Sequence, residues 1–230
     1  MNEPRAGRLA ALALVAACAG AQAQVPPSAS DTAGYTGLMA AAARGDAVGV
    51  TALAARGANV DARDGRGRTS LHVATHASQL EVMRALVRAG ADPNALENDR
   101  YDIVTIAAVA NDLPALRLAL VLGCRATNVT SRYDGTALIA AAHLGHGDVV
   151  QELIRAGAPL DHVNNLGLTA LIEAVVLGDG GPRHIATLRA LVGAGAGVNL
   201  PDRSGSTPLA LARGRGYLEM VQILERAGAR

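Results

Sequence analysis

The chain has 230 residues, half of them apolar by type, with a formal charge of +1 and no Phe or Trp. That is enough chain for one sizeable domain or for a repeat array with a continuous core. Near-neutrality excludes the electrostatic footprint of a nucleic-acid or anionic-membrane binder, and a core of small aliphatics without large rings suits thin helices packed closely.

The first stretch, MNEPRAGRLAALALVAACAGAQAQVPPS, opens with Arg5 and Arg8, continues as an apolar run from Leu9 to about Ala19, and ends in small residues. That order predicts an export signal over residues 1–23. The run is too short for a mature membrane span, which needs roughly 20 residues. Ala21-Gln22-Ala23 fits the cleavage site and leaves Gln24 as the new N-terminus, with residues 24–33 as a linker. Val15-Ala16-Ala17-Cys18 also resembles a bacterial lipobox, in which Cys18 is acylated; the membrane is a partner only in that case. Either route places the protein outside the cytoplasm: in the periplasm, or as an outer-membrane lipoprotein tethered by QVPPSASDTAG. Arg5, Arg8 and Glu3 all lie in the signal, so the remainder carries no net charge.

From residue 34 onward two landmarks keep step. A start recurs at Thr36, Thr69, Asp102, Thr136, Thr169 and Thr207, and a stop at Gly57, Gly90, Gly123, Gly157, Gly195 and Gly228. Spacing is 33 residues in most copies, which is the mark of a solenoid. Within a copy, Thr69 is placed to cap a first helix, and Pro208 follows Thr207 where its missing N–H costs nothing. Leu71, Ala74, Val82, Leu86 and Val87 fall at helical spacing. Gly90 follows the second helix, where a left-handed cap favours glycine, and Asp92-Pro93-Asn94 turns the chain out into a finger.

TSLHVATHASQLEVMRALVRAGADPNA resembles the ankyrin repeat family, with its T-P-L-H-x-A opening and Gly-Ala-Asp-x-Asn close; GSTPLALARGRGYLEMVQILERAGA and GTALIAAAHLGHGDVVQELIRAGAPLD match nearly as well. The resemblance covers about 34–230. It implies an all-α solenoid of six helix-turn-helix repeats with β-hairpin fingers, at about 34–66, 67–99, 100–133, 134–166, 167–204 and 205–230. Arg213 stands where inner copies place Ala42, Ala108 and Ala142, the polar outer face expected of a cap. The opening His survives only as His72, expected to brace its turn.

Family members bind partners through finger tips and the groove lined by first helices. Carried over residue by residue, this gives Tyr35, Tyr101 and Tyr133 as aromatic anchors, three of the chain's four tyrosines. Arg66, Arg68, Arg132 and Arg203 are the basic anchors, with Asp99, His143 and Leu168 beside them. Tyr and Arg dominate interface hot spots. The expected partner is another exported or envelope protein.

The copies also disagree. The third has Asp102 for Thr and Pro114 near its second helix. The fifth has five extra residues in LGDGGPRHIATLRALV, whose glycines predict a flexible projecting loop carrying Arg183 and His184, before Pro182 restarts the helix. Cys124 aligns with alanines and reads as a small buried residue. No phosphate-cradling loop ends in Lys, and no His-Glu-x-x-His or paired cysteines occur. His143, His146 and Asp148 are the candidates for a metal-dependent enzyme. The reading the sequence favours is a non-catalytic protein-binding scaffold without cofactor.

Overall fold

A computed structural model describes residues 24–230. The expected export signal and Cys18 lie outside the described residues. Among the described residues there are thirteen helices. A short α1 (Ala29–Gly34) precedes six inner–outer pairs. The inner helices are α2 (Gly37–Arg44), α4 (Ser70–His76), α6 (Ile103–Val109), α8 (Ala137–Leu144), α10 (Ala170–Val176) and α12 (Pro208–Arg215). Their outer partners are α3 (Ala47–Ala55), α5 (Leu80–Arg88), α7 (Leu113–Val121), α9 (Gly147–Arg155), α11 (Pro182–Gly193) and α13 (Leu218–Arg226).

The starts and stops fall where side-chain chemistry places them. Thr136, Thr169 and Thr207 accept the N–H three residues on, and Asp102 does the same for Thr105. At the other end the six stop glycines all have positive φ, from 79° to 99°. The residue after each returns its N–H to a carbonyl of the helix just ended, as Ala91 does to Leu86 at 3.0 Å. Cys124 sits at this position, buried, and burial pushes its thiol well above the ordinary range, with the Asp102 charge adding to the effect.

Each inner helix packs on the next inner helix and each outer helix on the next outer one. An alanine recurs at one register of this stack. Ala41, Ala74, Ala107, Ala141, Ala174 and Ala212, one per copy and each five residues after the start landmark, are at most 1% exposed. A methyl at the contact lets the backbones approach closely, and Leu71, Leu138, Leu153, Leu171 and Leu191 fill the space between inner and outer layers.

Braces differ from copy to copy. His72 accepts at Nδ1 from the Thr69 backbone N–H (3.1 Å) and lies 2.8 Å from its hydroxyl, while its Nε2–H reaches the carbonyls of Ala95 and Tyr101 at 3.0 and 3.2 Å. The third copy lacks that histidine and uses a buried network instead. Asp102 accepts from Thr105, and Asn128 donates to its other oxygen at 2.8 Å.

Three expectations need correction. The fingers are less regular than hairpins: among the described residues they carry only single antiparallel bridges, Arg63–Thr69 and Thr130–Gly135. Much of their hydrogen bonding runs between neighbours, with Asn98, Ser131 and Asn165 donating backbone N–H to Arg66, Arg100 and Tyr133 at 2.8–3.0 Å. Residues 24–33 are not a free linker, because Ser28 and Asp31 form a capping box on α1 and Asp31 pairs with Arg68 at 2.9 Å. The segment at 178–184 is held rather than flexible. Tyr217 donates to the Gly178 carbonyl (3.0 Å), and Asp179 accepts from the Gly181 N–H and meets His184 Nδ1 at 2.9 Å. His184 Nε2 donates to the His143 carbonyl, so this side chain is 5% exposed and faces inward; of the two residues expected to project, Arg183 alone is at the surface.

If the alanine contacts set the spacing, Ala141→Leu will overpack the α6–α8–α10 stack. A loss of about 1–3 kcal/mol is expected, read as a lower urea midpoint; a midpoint equal to wild type contradicts the account.

Candidate partner-binding site

The finger arginines are largely committed within the molecule. Arg132 pairs with Asp99 of the preceding finger, and Arg100 with Asp134 of the following one at 2.7 Å. Arg203 reaches back to the Asn165 carbonyl, and Arg63 forward to the Leu96 carbonyl at 2.6 Å. These are contacts across one repeat, so Arg132, Asp99 and Arg203 serve to stitch fingers together. Arg66 is exposed, and its guanidinium makes no hydrogen bond among the described residues.

Two expected contact residues lie inside. Leu168 is 1% exposed and packs with Ile172 and Val176. Arg68 is 2% exposed, held by Asp64 at 2.7 Å, by Asp31, and by the Val25 carbonyl. Tyr35 donates its hydroxyl to Asp64 at 2.8 Å, and burial followed by that bond pushes its phenol far above the ordinary value. Burial opposes ionisation of Asp64, but Tyr35 and Arg68 outweigh it and hold the carboxyl low. The Ser28 backbone N–H and Arg68 hold Asp31 down at about 2. Tyr35 and Arg68 thus form an internal node seating α1.

Of the expected residues that remain, Arg66 and Arg183 stand apart, and three converge on the concave face of copies three to five. Tyr101, Tyr133 and His143 line one cavity of about 180 Å³. Val109, Ile139, Leu144 and Leu166 give it apolar walls, and Thr105, Thr130 and Ser131 supply hydroxyls. Its buried end carries Glu173 and Asn164, neither singled out by the sequence reading, and Gln24 lies against it from the N-terminal segment. Burial, then the charges of Asp99 and Glu97, raises the Tyr101 phenol, which therefore stays protonated and able to donate. The signal for Glu173 was present: an acid stands where other copies carry an apolar residue.

His143, His146 and Asp148 do not assemble. The His143 ring lies 3.2 Å from Glu173, His146 donates from Nδ1 to the Ala108 carbonyl at 2.9 Å, and Asp148 is exposed. Among the described residues no three His, Cys, Asp or Glu side chains form a metal-holding group.

A family model described as "Ankyrin repeats (3 copies)" matches residues 9–97 and 104–202, its start falling inside the run read as an export signal. The chain is 35% identical over 192 residues to the ankyrin repeat protein YahD of Escherichia coli (strain K12), covering 83% of this chain and 95% of that protein. It is 33% identical over 175 residues to the B-cell lymphoma 3 protein homolog of Mus musculus, but spans only 38% of that protein's length. Among solved structures, an ankyrin repeat domain from Acinetobacter baumannii AYE aligns with a TM-score of 0.79 at 42% identity, over 84% of this chain and 98% of the other. The ankyrin repeat domain of Bcl-3, of the IkappaB protein family, gives 0.77 at 33% identity, over 86% and 88%.

Removing Arg68 tests the node. Arg68→Met leaves Asp64 nearly buried without its cation, which costs about 3 kcal/mol or more, and it should expose residues 24–34 to limited proteolysis. Wild-type stability and digestion would contradict the assignment. Two histidines set a pH dependence. Burial lowers His72, and burial with the nearby His72 and Arg68 brings His76 from 6.5 to about 4. Both bind protons more readily unfolded than folded, so stability is complete above about pH 6.5 and falls as pH drops toward 4. The melting temperature should fall across that window, and less steeply in His76→Gln; identical slopes would contradict the account.

Proposed function

Because this chain belongs to the ankyrin repeat family, we propose that it is a non-catalytic scaffold that docks another exported protein in its concave groove. Ankyrin repeats mediate protein–protein interaction, and the fold is typically a non-catalytic interaction scaffold. The observation that carries the reading is the cavity of copies three to five, where Tyr101 and Tyr133 from successive fingers meet His143 of α8. Fingers tied across repeats and helices held by both neighbours reorganise little on binding, which lowers the entropic cost of association.

The partner's compartment follows from the N-terminal stretch. Its order of arginines, apolar run and small residues supports export, so the partner is an exported or envelope protein. The whole-protein activities of the longer relatives stay with them. N-terminal sequencing of protein made in a Gram-negative host checks this part: a mature chain starting at Gln24 supports it, one starting at acylated Cys18 replaces the soluble form with the lipoprotein, and an intact Met1 overturns export.

For the groove, wild-type chain and a Tyr101→Ala/Tyr133→Ala variant of equal helicity serve as baits in an envelope extract. A protein held by wild type and lost, or weakened at least about tenfold, by the variant is expected, because such anchors contribute most of an interface's affinity. Equal capture by both baits overturns the groove as the docking face.

A further inference from the structure

Glu173 stands on the groove face of α10, four residues after its start landmark. The corresponding residues elsewhere are Ala40, Val73, Ile106, Ala140 and Leu211. The fold therefore does not require a carboxylate here, and a carboxylate 6% exposed is costly unless it meets a cation. Its partners are the Asn164 amide, 2.8 Å from Oε1, and the His143 ring, 3.2 Å from Oε2. The His143 ring is a counter-charge for it only when protonated, and among the described residues no arginine pairs with it, although the chain is rich in arginine.

Its neighbourhood is built to accept it. Asn164 accepts the backbone N–H groups of Leu166 and Leu168 at 3.0 and 2.9 Å. The same finger job falls to Asp64 and Asp202 elsewhere. An asparagine here removes a second negative charge and supplies the N–H that Glu173 receives. Each Glu173 oxygen then holds one hydrogen bond and keeps room for another. The cavity, at about 180 Å³, is below the roughly 300–1,000 Å³ of a drug-sized site and is scaled to one side chain. Gln24 lines it too, and its amide nitrogen is out of water with no acceptor among the described residues.

We propose that this cavity is a specificity pocket for an arginine side chain of the docked partner, with Glu173 as counter-charge and Tyr101 and Tyr133 as walls. A guanidinium presents a planar fork to the two open acceptor positions of the carboxylate, and its face and stem suit tyrosine rings. Gln24, a neutral donor of the chain's own N-terminal segment, occupies part of the place the cation takes. The inference rests on the groove reading above and names the chemistry of what the groove selects.

The test needs no partner. N-acetyl-arginine amide, its uncharged citrulline counterpart and the lysine counterpart are titrated into the full chain, followed through backbone amide NMR signals. The arginine probe should move signals around Tyr133, Asn164 and Glu173, and the citrulline probe should not. Glu173→Gln should weaken the arginine probe about tenfold, with its own spectrum showing that the fold persists, and Tyr101→Leu should weaken it severalfold. Equal shifts from citrulline, or unchanged arginine affinity in Glu173→Gln, overturn the pocket; lysine binding as tightly as arginine overturns the guanidinium assignment. Should Glu173→Gln not fold, the citrulline comparison and Tyr101→Leu decide. A silent arginine probe beside a bait experiment that succeeds ends this inference alone; a responsive probe beside equal capture ends the groove reading alone.

Discussion

Six buried alanines recur at one register of the inner helices, and most of the molecule follows from the close stacking that a methyl there allows. With one methyl at each contact, consecutive copies stack closely enough for a side chain or backbone N–H on one finger to reach the next. The finger-to-finger hydrogen bonds of 2.8–3.0 Å exist only at that spacing. So does the cavity, whose lining is drawn from the fingers and inner helices of three successive copies. A single repeat has neither the apolar cover nor the neighbours to hold such a surface.

That spacing also decides what the charged residues do. The chain is nearly neutral, and four of its arginines pair with carboxylates across repeats: Arg132 with Asp99, Arg100 with Asp134, Arg117 with Glu152, Arg189 with Glu219. Exposed pairs of this kind contribute little each, at most about 1 kcal/mol. Their effect is geometric, because each ties the long side chains of one copy to its neighbour. Arg68 differs in being buried, where two carboxylates and a carbonyl satisfy its guanidinium.

The scaffold was legible because it depends on spacing within a repeat. Threonine or aspartate at the start, glycine in the left-handed stop and a small residue after it, alanine or Cys124, are local requirements, and the fold meets them. The site was legible only in part. Tyr101, Tyr133 and His143 were picked out by their register, and they line one cavity. Arg132, Asp99 and Arg203 were read as anchors because their partners lie 33 or more residues away, beyond any local pattern, and Arg68 because its burial and its tie to Asp31 come from the N-terminal segment, although Asp64 stands only four residues from it. Leu168 looks like a finger residue in sequence but turns into the second apolar cluster. His184 was assigned to a loop by its neighbouring glycines, while its two nitrogens are taken by Asp179 and the His143 carbonyl. Glu173 was missed for a different reason. It breaks no spacing rule, and only a register-by-register comparison of the inner helices exposes it.

The N-terminal segment adds a constraint that repeats alone do not supply. Ser28 and Asp31 order α1, Arg68 anchors it, and the chain before it runs to the cavity, which Gln24 lines. Arg68 is too buried to touch a partner, yet it sets where Gln24 lies. The surface open to a ligand is therefore the concave face less the part this segment covers. Its boundary is governed by an ion pair at the second copy, well removed in sequence from the tyrosines that line the cavity.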